Sequence, residues 1–222
     1  MTYKFQFIFA FCLIHFFSFS QTVTIGSQIW MTKNLNVASF RNGEPIQQAK
    51  TAEEWNKAQR NEQPVWCYYN NDPANGPKYG KLYNWYAIND PRGLAPIGFH
   101  IPSDEEWSIL QLALGELEAV KSLKSNIGWL ENGNGTNSSG FNALPGGSRS
   151  HDGNYFRGLG KQGCWYASTF VVNYDSDKVL RHYHYENNNL LPEMIVVIYS
   201  KSDKIIMGST HASGFSVRCI KD

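Results

Sequence analysis

The sequence has few cysteines, no excess of either charge and no catalytic signature, and each of these absences excludes a class of protein function. Its 222 residues include 4 cysteines, none of them in a CxxC pair, so a zinc-ribbon or thioredoxin-like domain has no support. Lys and Arg total 20 against 19 for Asp and Glu, which gives no basic surplus to indicate nucleic acid. No GxSxG, HExxH, phosphate-loop or paired-carboxylate motif is present. We therefore predict no catalytic residues and no nucleic-acid partner.

Long apolar runs are also missing, except at the N-terminus. Lys4 precedes the apolar run 5–17, and small residues stand just before Gln21. This is the pattern of a secretory signal peptide, and the run is short for a membrane span, which needs about 20 residues. We expect residues 1–20 to be removed on export and 21–222 to form one domain without a membrane span. The destination (periplasm, outer surface or medium) stays open.

The expected mature chain keeps three cysteines, Cys67, Cys164 and Cys219. An odd number in an oxidising compartment allows one disulfide at most and leaves a thiol over. Cys219 alternates with Phe215 and Val217 in a β-prone run, so we expect its side chain to lie in the core. The sequence does not indicate which of these cysteines, if any, form a disulfide.

Local patterns predict an α+β domain with two helices, antiparallel strands and long loops. Both Thr51 and Ser103 are followed three residues later by Glu, which is the capping box that begins a helix. A strand is predicted over 22–30, with a Gly-Ser turn inside it, and 130–150 has the Asn, Gly and Ser content of a long loop. The last third predicts four strands with hairpin turns between the first three, over 179–186, 193–200, 204–208 and 214–220.

Several longer motifs, in order, cover nearly all of the expected mature chain. They are Ile25-Gly26-Ser27-Gln28-Ile29-Trp30-Met31-Thr32-Lys33-Asn34-Leu35, Trp66-Cys67-Tyr68-Tyr69-Asn70-Asn71-Asp72, Tyr79-Gly80-Lys81-Leu82-Tyr83-Asn84-Trp85-Tyr86-Ala87, Pro96-Ile97-Gly98-Phe99-His100-Ile101-Pro102, Gly140-Phe141-Asn142-Ala143-Leu144-Pro145-Gly146-Gly147, Trp165-Tyr166-Ala167-Ser168-Thr169 and Gly214-Phe215-Ser216-Val217-Arg218-Cys219. Together they resemble the Fibrobacter succinogenes major paralogous domain (FISUMP) family. The family commonly has a cysteine where this chain has Ala95, and an aromatic residue in place of Cys164, so the resemblance assigns no disulfide.

A more distant similarity is to formylglycine-generating enzymes, through the segment around His100 and the GFxVR ending. That resemblance implies a C-type-lectin-like fold, in which the N- and C-terminal strands join in one sheet and long loops are displayed. It is a fold-level analogy, and a shared fold does not carry a function with it.

Aromatic residues are abundant, and we expect most of them to be core anchors. Tyr69, Tyr155 and Tyr174 lie in or beside predicted loops and are the candidates for exposed ligand contacts. Arg149 and Asp152, in a glycine-rich turn, either face a ligand or form an internal ion pair.

Metal sites have only weak candidates, and no metal is predicted. Asp72 and Asp90 lie in Asn- and Asp-rich segments before prolines, which suit either a calcium site or an ordinary Asx turn. His182 and His184 share one face of a predicted strand but lack a third ligand. We expect His100 to make buried hydrogen bonds.

These observations favour an exported, non-catalytic binding or adhesion module whose ligand is a glycan or a surface protein. Two alternatives stay open. One is a formylglycine-generating-like oxidase, which requires a pair of convergent thiols to hold copper. The other is a structural component of the cell envelope. The oligomeric state is not predicted.

Overall fold

The protein is described by a computed structural model that covers residues 22–115, 118–170, 193–210 and 213–222. The predicted strand 179–186, His182, His184 and Tyr174 lie outside these residues, as does the predicted signal peptide.

The described residues form a mixed α/β domain with three sheets and a few mostly short helices. The strands β1 to β12 are Thr22–Ile25, Gln28–Met31, Gln47–Gln48, Val65–Cys67, Leu82–Tyr83, Phe99–His100, Gly146–Arg149, Phe156–Leu159, Gln162–Phe170, Glu193–Tyr199, Ile205–Thr210 and Ile220–Lys221. The helices α1 to α5 are Ala52–Arg60, Gly76–Tyr79, Trp85–Ile88, Asp104–Leu114 and Ala119–Leu123. Short 3₁₀ turns occupy Tyr69–Asn71 and Pro73–Asn75.

The two predicted helices are α1 and α4, and both begin at the predicted capping boxes. The amide of Glu54 donates to Thr51 Oγ1 at 3.1 Å, and that of Glu106 donates to Ser103 Oγ at 3.2 Å. Each glutamate carboxylate accepts the amide of its own cap residue in return. Such a cap contributes about 1 kcal/mol. The prediction of only two helices was wrong, since the described residues also form α2, α3 and α5. Each of these has only four or five residues, which is too short to show a helical repeat in the sequence.

The N- and C-terminal strands share one four-stranded sheet, in the order β1-β2-β12-β6. Ile220 pairs with Trp30 in antiparallel register, and the amide of Met31 donates to the carbonyl of Cys219 at 3.0 Å. The strand predicted over 22–30 is a hairpin, and the turn predicted inside it is confirmed, since Gly26 has a φ of 59° and reverses the chain between β1 and β2.

A five-stranded sheet, in the order β11-β10-β9-β7-β8, holds most of the last third of the described chain. The predicted hairpin around residues 200–203 is confirmed, since β10 and β11 pair antiparallel on either side of it. The expectation of a purely antiparallel sheet was wrong: β7 pairs with β9 in parallel. The third sheet, β3-β4-β5, also contains a parallel pair.

Tryptophan and phenylalanine rings fill the core between these sheets, as the aromatic content predicts. The rings of Trp30, Trp107, Phe141 and Trp165 are all fully buried and lie 4.9 to 6.4 Å apart in successive contacts. Such pairs contribute about 0.5–1.5 kcal/mol each beyond the area they bury. The core therefore contains a cluster of aromatic rings in tilted and edge-to-face contact.

One buried cation, Arg218, joins the C-terminal segment to this core. Its guanidinium donates to the carbonyls of Met31 and Phe141 and to Oδ1 of Asn34, the last at 2.8 Å. The sequence places Arg218 opposite the core face of Phe215 and Cys219, but the structure buries both faces of this segment. The guanidinium is retained there because backbone and amide oxygens surround it.

Candidate functional site

The described residues that the sequence nominates for ligand contact differ in exposure, and two of them, Tyr69 and Arg149, are buried. Tyr69 was expected to be exposed, but only 7% of it is accessible, since its ring packs against Phe156 with centroids 5.2 Å apart. Tyr155 is 53% exposed. Asp72 is exposed at the start of a 3₁₀ turn, where its Oδ1 accepts the amide of Ala74 at 2.9 Å.

Arg149 is fully buried, so it does not present its charge to a ligand at the surface. Its guanidinium donates to the carbonyls of Thr51 at 2.8 Å and Gly153 at 3.1 Å, and it lies 4.7 Å from the centre of the Trp55 ring. The alternative of an internal ion pair with Asp152 is wrong as well, because the Asp152 carboxylate instead accepts hydrogen bonds from its own turn. Arg149 is a structural cation that ties β7 to the start of α1.

Both oxygen-rich segments considered for calcium form Asx turns. In the second of them, Asp90 accepts the backbone amide of Arg92 at 3.0 Å and its guanidinium at 2.7 Å. The Arg92 hydrogen bond is the main reason that the pKa of Asp90 falls below its ordinary value. Within the described residues, no three His, Cys, Asp or Glu side chains are grouped so that they could hold a metal ion.

The three cysteines of the described chain are free and buried, and the expectation for Cys219 is confirmed. Cys67 lies in one hydrophobic cluster, while Cys164 and Cys219 lie in another. Burial raises the pKa of Cys67 to about 11 and the pKa values of Cys164 and Cys219 to about 12. Thiols of this kind stay protonated at neutral pH and are poor ligands and nucleophiles.

His100 is partly exposed and not buried as expected, although it does make the expected hydrogen bonds. Its Nε2 lies 2.8 Å from Glu106 Oε1 and its Nδ1 lies 2.8 Å from Asp222 Oδ1. Burial alone would lower the pKa of His100, but the hydrogen bonds and charges of the two carboxylates outweigh it and raise the pKa. The imidazole thus links β6, α4 and the C-terminal segment.

A polar cleft that the sequence did not single out lies beside α5. Its volume is roughly 400 Å³, in the range of small-molecule sites. Three segments line it: α5, the loop 131–135 and the β10–β11 turn. We call it the α5 cleft; its lining residues are Val120, Lys121, Lys124, Glu131, Asn132, Gly133, Asn134, Gly135, Ser200, Lys201, Ser202 and Asp203.

Lys124 fixes one wall of the α5 cleft. The residue is only 4% exposed, and its ammonium donates to the carbonyl oxygens of Ser200 at 2.9 Å and Ser202 at 3.2 Å. The same ammonium lies 4.9 Å from the centre of the Trp129 ring. Burial lowers the pKa of Lys124, and the two carbonyls compensate the buried charge. The β10–β11 turn is therefore held in place by Lys124, the C-cap residue of α5.

The loop 131–135 forms a second wall, which packs against the other two segments through two close approaches. A Cβ on Gly133 would lie 2.5 Å from the Ser200 carbonyl oxygen, and a Cβ on Gly135 would collide with the Lys121 carbonyl. Glu131 and Asn132 both have a φ of 58°, a left-handed conformation that is costly for residues other than glycine. The loop thus adopts a specific shape that its neighbours impose.

The electrostatics of the α5 cleft centre on Glu131. Its carboxylate contacts Lys161 Nζ at 2.9 Å and Lys201 Nζ at 3.3 Å, and these hydrogen bonds lower the pKa of Glu131. Asp203 supplies a second carboxylate to the lining, and Asn132 and Asn134 supply amides. Both donors and acceptors of hydrogen bonds therefore face the same space.

Sequence reasoning missed this site because its walls are about seventy positions apart in the chain. The repeated Asn-Gly pairs at 132–135 are the one local signal, since glycines in a polar loop mark turns or close backbone approaches. The partner of Gly133, the turn at 200–203, was predicted only as a hairpin connection.

These features define a mixed α/β domain whose loops build a polar cleft on a core of aromatic residues. The chain belongs to the Fibrobacter succinogenes major domain family (Fib_succ_major), whose model matches residues 23–221. No curated protein and no solved structure matches the chain significantly. No helix in the described part of the chain has the length and apolarity needed to traverse a bilayer.

Proposed function

We propose that this protein is an exported, non-catalytic binding domain that holds a glycan in the α5 cleft. The arrangement of the cleft is the observation that carries the proposal: a space of roughly 400 Å³, shaped by loops, whose lining includes ammonium, amide, hydroxyl and carboxylate groups. Sugar hydroxyls both donate and accept hydrogen bonds, so a lining that offers both suits them.

A glycan suits this surface better than a protein partner does. Stable protein interfaces bury about 800 Å² on each side and rest on aromatic or arginine anchors. The α5 cleft is concave, and its lining contains lysine, asparagine, serine and acidic residues but no aromatic side chain. A small polar ligand, or one or two units of a longer chain, matches that composition.

The scaffold that we propose is C-type-lectin-like. The pairing of β2 with β12 supports it, because it joins the N- and C-terminal parts of the domain in one sheet, and the long loops between elements support it further. We propose binding that does not require calcium, since Asp72 and Asp90 are engaged in Asx turns. Export is proposed from the N-terminal pattern of the sequence.

The test is binding of the chain from Gln21 onward to a broad glycan array, with calcium and with chelator. The cleft variant combines Asn132→Gly with Asp203→Asn. It removes the Asn132 side chain and replaces the Asp203 carboxylate with a neutral amide, and glycine suits the φ of 58° at residue 132. Asp72→Asn is the matched control, because asparagine preserves the turn cap at an exposed site outside the cleft.

We expect selective binding that chelator leaves unchanged, that the cleft variant weakens by at least about tenfold, and that the control retains. That factor corresponds to the loss of roughly one or two hydrogen bonds. A blank array in both conditions would overturn the proposal. Equal binding by the cleft variant would place the ligand elsewhere on the domain.

A further inference from the structure

The α5 cleft carries more positive than negative charge, although the protein as a whole is almost neutral. Three lysines line it, Lys121, Lys124 and Lys201, against the two carboxylates of Glu131 and Asp203. The whole chain, by contrast, has 20 basic and 19 acidic residues. A local excess of one sign on a neutral protein favours ligands of the opposite sign.

The ion pairs around Glu131 increase this excess. Its single carboxylate is shared between Lys161, which approaches from outside the lining, and Lys201. One negative charge therefore compensates two positive ones. Lys201 makes the longer of the two contacts, at 3.3 Å, and its side chain is 74% exposed, so its ammonium is available at the cleft surface.

Lys121 provides a second ammonium at the surface. It lies on α5, three residues before Lys124, which is the C-cap residue of that helix. Lys121 is exposed, and none of the ion pairs found among the described residues involves it. Lys124 differs from both, because its ammonium is used to hold the β10–β11 turn.

We infer that the ligand of the α5 cleft is an acidic glycan, whose carboxylate or sulfate groups are held by Lys121 and Lys201. This inference rests on the proposed glycan-binding function and adds the charge of the ligand. Lysine ammonium groups bind anions as point charges, so they serve carboxylate and sulfate alike. The amides and carboxylates of the lining remain for the sugar hydroxyls.

The test compares acidic oligosaccharides with uncharged counterparts of the same length. The probes are tetragalacturonate and its carboxyl-reduced form, a mannuronate tetramer and its carboxyl-reduced form, and a sulfated tetrasaccharide with its desulfated form. A short polyphosphate serves as an anion that is not a sugar. Affinities are measured by titration calorimetry at low and at high NaCl concentration.

We expect at least one acidic probe to bind about tenfold or more tightly than its uncharged counterpart, because charge-assisted hydrogen bonds are roughly twice as strong as neutral ones. The preference should shrink at high NaCl, where exposed charges are screened. The variant Lys121→Gln/Lys201→Gln should abolish the preference. The control Lys50→Gln/Lys57→Gln, which removes the same charge from exposed positions outside the cleft, should retain it.

Equal affinities within every pair would overturn the inference and leave the glycan-binding proposal standing. Binding of polyphosphate as tight as that of the acidic sugars would also overturn it, since charge alone would then explain the affinity. An array without any bound glycan would overturn the proposed function itself. The comparison of charged and uncharged probes on the unmodified protein does not depend on any variant folding.

Discussion

Single buried cations hold distant segments of this domain together through hydrogen bonds. Lys124, Arg149 and Arg218 are each buried at 4% exposure or less, and their main partners are backbone carbonyl oxygens. A buried cation is tolerated only where such partners replace its hydration. Each of these residues therefore positions a neighbouring segment and does not bind a ligand from solvent.

Replacing Lys124 with methionine should destabilise the domain and loosen the α5 cleft. Methionine keeps the aliphatic stem but leaves the carbonyls of Ser200 and Ser202 without their donor, which costs about 1–3 kcal/mol. The free energy of unfolding from urea titration measures the effect. Lys121→Met, three residues earlier and exposed, should change it by less than about 0.5 kcal/mol. Equal effects of the two variants on the free energy of unfolding would contradict the role of Lys124 in holding the β10–β11 turn.

At this scale the sequence predicts burial better than function. The core role of the tryptophans and the burial of Cys219 follow from composition and alternation. The burial of Arg149 and Tyr69 does not follow from the sequence, because a local turn motif does not reveal which side chains the rest of the chain will cover. The chemistry of Lys124 depends on a turn about seventy-five positions away, so no local pattern indicates it.

Helices, strands and the C-terminal segment are connected by side-chain hydrogen bonds as well as by backbone pairing between strands. Glu106 is the best example, because one carboxylate oxygen completes the capping box of α4 and the other contacts His100 on β6. Asp222 contacts the same imidazole from the C-terminal segment. Three segments thus meet at a titratable group.

The stability of the domain should therefore contain a pH-dependent contribution from His100. The pKa of His100 is raised in the folded state above its ordinary value of 6.5, so the folded form binds the proton more tightly. The contribution is fully present below pH 6.5 and is lost as the pH rises through the raised folded pKa. It should stay below about 1 kcal/mol, because the side chain is 40% exposed.

The measurement is the free energy of unfolding between mildly acidic and alkaline pH for the parent and for His100→Gln. The difference between the two should be largest at acidic pH and should narrow as the pH rises. His151→Gln, which removes an exposed imidazole from a turn, is the matched control and should follow the parent. A difference that is constant with pH, or grows with it, would contradict the role given to His100.

Elements with a strong local signal were predicted, and those defined by tertiary pairing were not. The capping boxes of α1 and α4 and the turn between β10 and β11 are encoded locally. Strands such as β3, β5 and β6 have two residues each, which is too short for an alternating pattern. They exist because a partner strand lies beside them.

For the molecule as a whole, Arg218 connects the first and last parts of the chain. It bonds the carbonyl of Met31 at the end of β2, the carbonyl of Phe141 in the long loop, and Asn34, whose Oδ1 also accepts Trp165 Nε1 at 2.9 Å. Two distant stretches of the sequence thus bond the guanidinium directly, and a third is connected to it through Asn34. We therefore expect the closure of the domain to depend on this network as well as on the two-residue strand β12.

Replacing Arg218 with methionine should cost about 1–3 kcal/mol for each of the two carbonyls, those of Met31 and Phe141, that lose their donor. The expected signs are a large fall in the midpoint of thermal unfolding and increased protease sensitivity near both ends of the domain. Arg60→Met, at an exposed position in the last turn of α1, should be nearly neutral. A similarly small effect at Arg218 would show that the sheet alone closes the domain.

The buried thiols have a consequence for the conditions under which this domain keeps its structure. Three reduced cysteines lie inside apolar clusters, and no disulfide joins them in the described chain. Thiol–disulfide exchange needs an accessible thiolate, which the folded domain does not offer. The folded state should therefore be indifferent to redox potential: it gains nothing from an oxidising compartment and loses nothing to a reductant, unlike small exported domains that rely on cystine cross-links.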